Sequence, residues 1–292
     1  MPLSTSLTKG VINHYETAVT PRRFTATVHT IRPHRLEPPG LTPISATVIT
    51  KNGSAHLEQV LAALHWCDEV VVLDTGSTDD TMAIAQRHPN VQLYRLEGAF
   101  PGFGRAHQQA VALARHDWVL SVDSDEVVSD PLAAEIKALP LDPRIVYAIP
   151  FHNYFNGRRI TSCGWHPDRH ERLFNRRTTN FCGSEVHERV QTENLFVRRL
   201  RQPIRHYSYG SVDDFLRKTR EYSRLFAEQE AGRTSAGPVK ALARGTWAFF
   251  KSYVLQRGCL QGGEGFTISA FKAQLVFWKY LYLHETNRRR FA

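Results

Sequence analysis

The sequence contains no uninterrupted apolar run of about eighteen residues or more, so no helical bilayer span is predicted. Its first residues, MPLSTSLTKG, are polar and lack the apolar centre of a secretory signal peptide, so the protein is expected to stay in the compartment where it is made. Cysteine is scarce. Cys67, Cys163, Cys182 and Cys259 are scattered without a CxxC pair, which argues against a structural zinc and fits a reduced, cytoplasmic setting. No P-loop (glycine, four residues, Gly-Lys, then Ser or Thr) occurs. The glycine-rich Gly98–Gly104 segment reads G-x-x-x-G-x-G, out of order for a dinucleotide fingerprint. These absences count against an NTPase and a dehydrogenase. No internal repeat is visible.

What is present suits one large domain, or a core domain with an appendage: 292 residues, 42% hydrophobic and 22% charged. The net charge of +9 favours an anionic partner, whether nucleic acid, acidic lipid or a phosphorylated substrate. Residues 1–42 are rich in Thr, Arg and Pro and read as a flexible arm. From Ile44 the pattern becomes regular. The β-branched run Ile44–Thr50 precedes a helical stretch from Ala55 to Leu64, and Val70–Leu73 is an apolar run typical of a strand covered on both faces. Ser77 and Asp80 resemble a capping box opening a helix to Arg87. A third strand, Val91–Leu96, leads through the glycine-rich segment into a helix to Arg115, and a fourth, Trp118–Val122, ends at Asp123-Ser124-Asp125-Glu126. Strands alternating with helices predict an α/β fold, a mostly parallel Rossmann-like sheet with helices on both faces. Ile145–Phe151 reads as a further strand, and from Ser211 the chain is mostly helical.

Ligands of such sheets bind beyond the carboxyl ends of the strands. Three predicted strand ends carry polar residues there: Thr50-Lys51-Asn52, Asp74 and Asp123-Ser124-Asp125. In extended backbone, residues two apart share a face, so Asp123 and Asp125 can together hold Mg²⁺ or Mn²⁺, hard cations that share oxygen ligands with phosphates. The bland reading is a solvated turn; the position after a buried strand, opposite Asp74, favours the metal. A carboxylate at Asp74 can accept a hydrogen bond from a base or ribose. Asp79 divides between function and helix capping, and Asp80 reads as a cap. Asp168, Glu171, Glu185 and Glu188 are the possible bases for an acceptor hydroxyl, and spacing selects none. His187 and His206 are equally open. Between Glu230 and Glu264 there is no acidic residue, while Arg233, Lys240, Arg244, Lys251 and Arg257 sit among Trp247, Phe249, Phe250 and Tyr253. This reads as a core helix with a basic edge, or as an interfacial helix on anionic lipid, with the second favoured.

Several segments, in order, resemble glycosyltransferase family 2: Ser45–Asn52, Val72–Asp79, Gly102-Phe103-Gly104 and Asp117–Glu126. Glu171–Phe174, Val186-His187-Glu188, His206–Tyr209, Lys251-Ser252-Tyr253 and Gly258–Gly265 are similar to the lipopolysaccharide inner-core β-1,4-glucosyltransferases within it. The resemblance implies a GT-A fold over residues 43–210, a helical region over 211–292, and an inverting single displacement from UDP-glucose. It implies donor contacts from Thr50, Lys51, Asn52, Asp74, Asp79, Arg105, Asp123, Ser124 and Lys218. A divalent metal would be held by Asp123 and Asp125, the latter the more direct ligand, with His187 or His206 completing the shell. Within the family pattern Glu188 is the favoured base and Glu185 the second. The acceptor implied is a lipid-linked saccharide at the cytoplasmic face of a bacterial inner membrane, where the protein would sit peripherally. His107-Gln108 stand where relatives carry Arg and often Asn, and the QxxRW signature of processive relatives is missing. Rival expectations are a family member acting on an undecaprenyl-linked or protein acceptor, and a nucleotide-sugar or polyanion binding protein without turnover. Nucleic-acid binding is not expected, for want of a reading motif.

Overall fold

The computed structural model describes residues 42–183, 188–209 and 212–291. Residues 1–41, which hold nearly all of the expected arm, lie outside them, as do Glu185 and His187. In chain order the elements are β1 (Ile44–Thr50), α1 (Leu57–Ala63), β2 (Glu69–Asp74), α2 (Thr81–Ala85), β3 (Val91–Arg95), α3 (Phe103–Leu113) and β4 (Trp118–Asp123). There follow β5 (Glu126–Val128), α4 (Asp130–Lys137), β6 (Ile145–Phe155), β7 (Arg158–Arg159), β8 (Arg169–Asn175), β9 (Phe196–Arg199) and β10 (Ile204–Tyr209). Three long helices end the chain: α5 (Val212–Glu230), α6 (Pro238–Phe250) and α7 (Gly262–Phe291).

The sheet runs β3-β2-β1-β4-β8-β6-β10-β5, with β7 and β9 on β6. Its first four strands are mutually parallel, as the alternating pattern predicts. Beyond them β8 pairs antiparallel with both β4 and β6, so the second half is mixed. Only Ser124 and Asp125 separate β4 from β5, although the two strands stand at different places in the order. The far half must therefore curl back over the tip of β4. This closure builds the site.

Period-two alternation distributes the core. Ala46 and Val48 of β1, with Val70 and Val72 of β2, face Leu57, Leu61, Leu132 and Ile136 of α1 and α4. Ile49 and Leu73, pointing the other way, meet Ala106 and Ala110 of α3. Helices thus cover both faces. At the amino-terminal edge, buried Glu69 accepts bonds from Ser45 Oγ (2.7 Å), Arg115 N (2.8 Å) and Arg115 Nε (2.8 Å). The expected Ser77 cap is not made. Ser77 Oγ accepts instead from Asn52 N at 2.8 Å, and Asp79 receives the amide of Thr81 at 3.1 Å at the start of α2.

The described residues fall in one compact unit. The C-terminal helices join the sheet through a ladder of rings. Trp165 stacks on Tyr209 (centroids 5.7 Å apart), Tyr209 on Phe215 of α5 (3.8 Å), and Phe215 on Phe271 of α7 (4.2 Å). Gly245 lets α6 cross α7 closely: a Cβ there would lie 3.1 Å from the Ala273 carbonyl oxygen and 3.2 Å from Phe277 Cβ. Among the described residues no helix is long and apolar enough to cross a membrane.

Candidate functional site: a carboxylate cluster at the tip of the parallel strands

The three polar strand ends do converge. Thr50 is in register with Asp74, and Ile49 with Asp123, so β1 carries both neighbours at one rim. Asn52, with φ of 53°, turns its amide oxygen to the Thr78 amide (2.8 Å) and so ties the β1 and β2 loops together. Gly53 fits into this junction because it has no side chain: a Cβ would lie 2.6 Å from Thr50 Oγ1 and 2.9 Å from Ser124 Oγ. Thr50 Oγ1 is buried without a hydrogen-bond partner. Asp74 is fully buried and accepts from the amides of Gly76 (3.3 Å) and Ser77 (3.0 Å), with Arg95 Nε at 3.5 Å. It shapes the turn from within. Lys51, Asn52, Asp79 and Arg105 are exposed along the rim.

Asp123 and Asp125 meet by a route different from the one expected. Asp123 closes β4, and Ser124-Asp125 form a turn, so the alternation of an extended strand does not orient them. Pairing of β5 with β10 places Glu126 opposite His206, and the Tyr207 amide donates to the Asp125 carbonyl (2.9 Å). The consequence is a division of labour. Arg172 of β8, buried, donates to Asp123 Oδ2 (3.1 Å) and Glu126 Oε1 (2.5 Å), while His107 Nε2 lies 3.6 Å from Asp123 Oδ1. Asp125 Oδ1 instead faces His206 Nε2 at 3.7 Å.

Electrostatics follow the burial. Burial alone would raise the Asp123 carboxyl, but Arg172 first, then His107 and His206, hold it down to about 2. Glu126 is pushed well up by burial, with Asp123 and Asp125 adding to the effect against the pull of Arg172. Burial lowers His107 to about 4, Arg172 adding to the shift while Asp123 opposes it, so the ring is neutral near pH 7. It stacks on Phe181 with centroids 4.3 Å apart. His206 is also lowered by burial, against the opposing charges of Asp125 and Asp123.

The tautomer of His206 follows from its partners. Asn153 Nδ2 donates to the Trp165 carbonyl (3.0 Å) and to Asp168 Oδ2 (2.9 Å), which fixes its Oδ1 as an acceptor. His206 Nδ1 lies 2.8 Å from that oxygen and must carry the proton. Ser208 Oγ is 3.0 Å from both ring nitrogens, a position above the ring because Cε1 blocks the equidistant point in its plane. Nε2 is thus left unprotonated, 3.7 Å from the Asp125 carboxylate. Two acceptors facing each other across 3.7 Å suit a shared cation. Among the described residues no group of three His, Cys, Asp or Glu side chains forms a fuller shell.

Other side chains ring this pair. Lys218 Nζ donates to the Ser208 carbonyl (2.7 Å) and lies 4.6 Å from the Tyr209 ring centroid. Glu188 is half-buried, and its charge acts on both Arg172 and the Tyr222 hydroxyl. Burial, then the charges of Glu221, Glu188, Asp123 and Asp125, push that hydroxyl up, so Tyr222 of α5 looks onto the same cluster. Asp168 pairs with His170 (3.0 Å) and Asn153, away from the arginines around it. Sequence reasoning missed Arg172, Asn153 and Tyr222. Arg172 sits within the quoted Glu171–Phe174 segment, but nothing in an isolated sequence says which of many arginines is buried.

Comparison with known proteins matches this arrangement to a family. The model for "Glycosyl transferase family 2" covers residues 45–204, more than half of the chain, from the first buried strand to β10. The chain belongs to glycosyltransferase family 2. It is a glycosyltransferase, and the matched span holds Thr50, Asp74, Asp123, Asp125 and Arg172 but stops two residues short of His206. An uncharacterized glycosyltransferase of Rickettsia felis is 28% identical over 262 residues, 83% of this chain and 90% of the relative. A lipopolysaccharide core biosynthesis glycosyltransferase, LpsC of Rhizobium meliloti, is 25% identical over 64% of this chain and 72% of its own. Among solved structures, a mannosyltransferase from Pyrobaculum calidifontis in complex with GDP-Man and Mn²⁺ aligns over 87% of this chain and 91% of its own, at 17% identity and a TM-score of 0.49.

Proposed function

We propose that this family 2 transferase moves a hexose, glucose from UDP-glucose, onto a hydroxyl of a lipopolysaccharide inner-core saccharide, with inversion and with Mg²⁺ or Mn²⁺. One observation carries the reading: Asp125 Oδ1 and the unprotonated Nε2 of His206 face each other at the carboxyl ends of the parallel strands. The donor set fits a divalent ion, and Asp125 and His206 would hold it. When bound, it would supply positive charge to the diphosphate leaving group. His187, outside the described residues, is proposed as a further ligand. Asp123, already held by Arg172, takes the supporting role, its ionised carboxylate facing ribose and cation.

The rest of the chemistry belongs to side chains. Thr50, whose hydroxyl lacks a partner, together with Lys51, Asn52 and the turn closed by Asp74, receives the uridine. Asp79, Arg105 and Ser124 complete the donor rim, and Lys218 steadies the diphosphate. Glu188 takes the proton of the acceptor hydroxyl as that oxygen attacks the anomeric carbon opposite the departing UDP. Glu185 is the second choice for this base. The acceptor is assigned from the likeness to LpsC and from the basic C-terminal region, which suits a lipid-linked saccharide at an anionic, cytoplasmic membrane surface. Residues 43–210 form the transferase domain of this reading, and 211–292 its membrane-facing region.

The test offers purified protein a panel of UDP-sugars with heptose-containing core acceptors, with and without Mn²⁺. Transfer of glucose, dependent on metal and lost in Glu188→Gln with UDP binding intact, is the expected result. Transfer only to an undecaprenyl-linked or protein acceptor would move the substrate assignment, and full activity of Glu188→Gln would move the base.

A further inference from the structure

α6 presents two unlike faces. Ala241 and Gly245 are buried against α7, while Val239, Leu242, Ala243, Thr246, Trp247 and Phe250 are exposed on the opposite side. At a hundred degrees per residue these six fall within one uncharged stripe. Val254, Leu255 and Leu260 carry the exposed apolar surface on through the turns that follow the helix. The exposure is large: 83% for Val239, 54% for Trp247 and 78% for Leu260. Phe249 and Tyr253, grouped with these rings on sequence grounds, are half-buried and pack beside the stripe on the exposed Phe266 at 5.8 and 5.9 Å.

The stripe is edged by one sign of charge only. By the same helical spacing Lys240, Arg244 and Lys251 fall beside it, Arg233 and Arg257 follow the same sign before and after the helix, and no acidic residue occurs between Glu230 and Glu264. The outer face of α5 differs, since there Arg217 pairs with Asp214 and Glu221 and Glu228 lie among the arginines. The outer face of α7 also mixes signs, with Glu285 bonded to Arg289. A second copy of the chain is a poor occupant for the α6 stripe, because a two-fold contact would bring its cations face to face. A surface of dense negative charge over an apolar interior meets both halves of the pattern.

We propose that the outward stripe of α6, continued by Val254, Leu255 and Leu260, is a docking face for an anionic lipid bilayer. The apolar side chains enter the headgroup–acyl boundary with Trp247 among them, and the flanking cations meet lipid phosphates. The aromatic ladder from Phe271 through Phe215 and Tyr209 to Trp165 ties this helical region to the strands that carry Asn153 and His206. Docking therefore fixes the site relative to the membrane plane.

The full chain should be sedimented with vesicles of phosphatidylcholine alone and with about one-third phosphatidylglycerol, at low and high salt. Partitioning is expected to be at least about tenfold stronger on the anionic vesicles and to weaken with salt. The exposed triple substitution Leu242→Ser, Trp247→Ser, Phe250→Ser should reduce it by about tenfold or more with an unchanged circular dichroism spectrum, while Trp278→Ser on α7 should leave it intact. Equal binding to both vesicles, wild-type binding by the triple variant, or a dimer that the triple variant disperses would each overturn the proposal. Vesicle binding is read without sugar transfer, so its failure is separate from failure of the transferase assignment.

Discussion

At the residue scale, single polar atoms decide which groups serve structure and which serve chemistry. Glu69 is a structural carboxylate: burial would raise its pKa, but bonds from the Arg115 amide, Ser45 and the Arg115 side chain lower it below the usual value of 4.5. A carboxyl lowered on folding contributes stability that is present above its unfolded value and is lost as pH falls through its folded one. Glu69→Ala is therefore expected to cost about 2 to 4 kcal/mol in urea unfolding at pH 7, and less at pH values below about 4. Asn153 serves the site from behind. Asn153→Leu should leave His206 Nδ1 without its acceptor, shift the ring tautomer seen by ¹⁵N NMR, and weaken Mn²⁺ affinity about tenfold or more. An unchanged His206 spectrum in that variant would contradict the tautomer assignment. Asp123 and Asp125 stood out in the sequence because strand ends in a parallel sheet point one way, whereas spacing left His206 level with His187. Arg172 and Asn153 did not stand out, because burial of a polar side chain depends on what folds over it.

Elements place these residues, and here the sequence was legible in its first half. Continuous apolar runs specify β1, β2 and β4, each covered on both faces, while β3, at the sheet edge and largely exposed, follows from the strand–helix alternation. The later strands escaped because β8, β9 and β10 are partly exposed and rich in Arg and His, so they carry no clean alternation. Their pairing is set by tertiary closure over the tip of β4. The Ser77 cap failed for a related reason: a distant amide, that of Asn52, competes for the same hydroxyl. α5 is held to the sheet by Phe215, which stacks on Tyr209 and Phe271 and meets Phe155 edge-on at 5.2 Å. Phe215→Ala should destabilise the protein by about 3 to 5 kcal/mol in denaturant unfolding. A cost below about 1 kcal/mol would mean that α5 is anchored elsewhere.

Across the whole molecule, the parallel half supplies the strand-end rim proposed to take the donor, and the curled half supplies Arg172, Asn153 and His206. The helices beyond them brace that second half and, by the inference above, set its distance from a bilayer. Asp125 is contributed by the joint between the halves, which is why the site needs the complete fold. Calorimetric titration of UDP into wild-type protein and into Asp125→Ala, with and without Mn²⁺, tests this account most directly. Wild-type affinity should rise at least about tenfold with Mn²⁺, and Asp125→Ala should fold normally yet lose that increment. A full Mn²⁺-dependent increment in Asp125→Ala would contradict it.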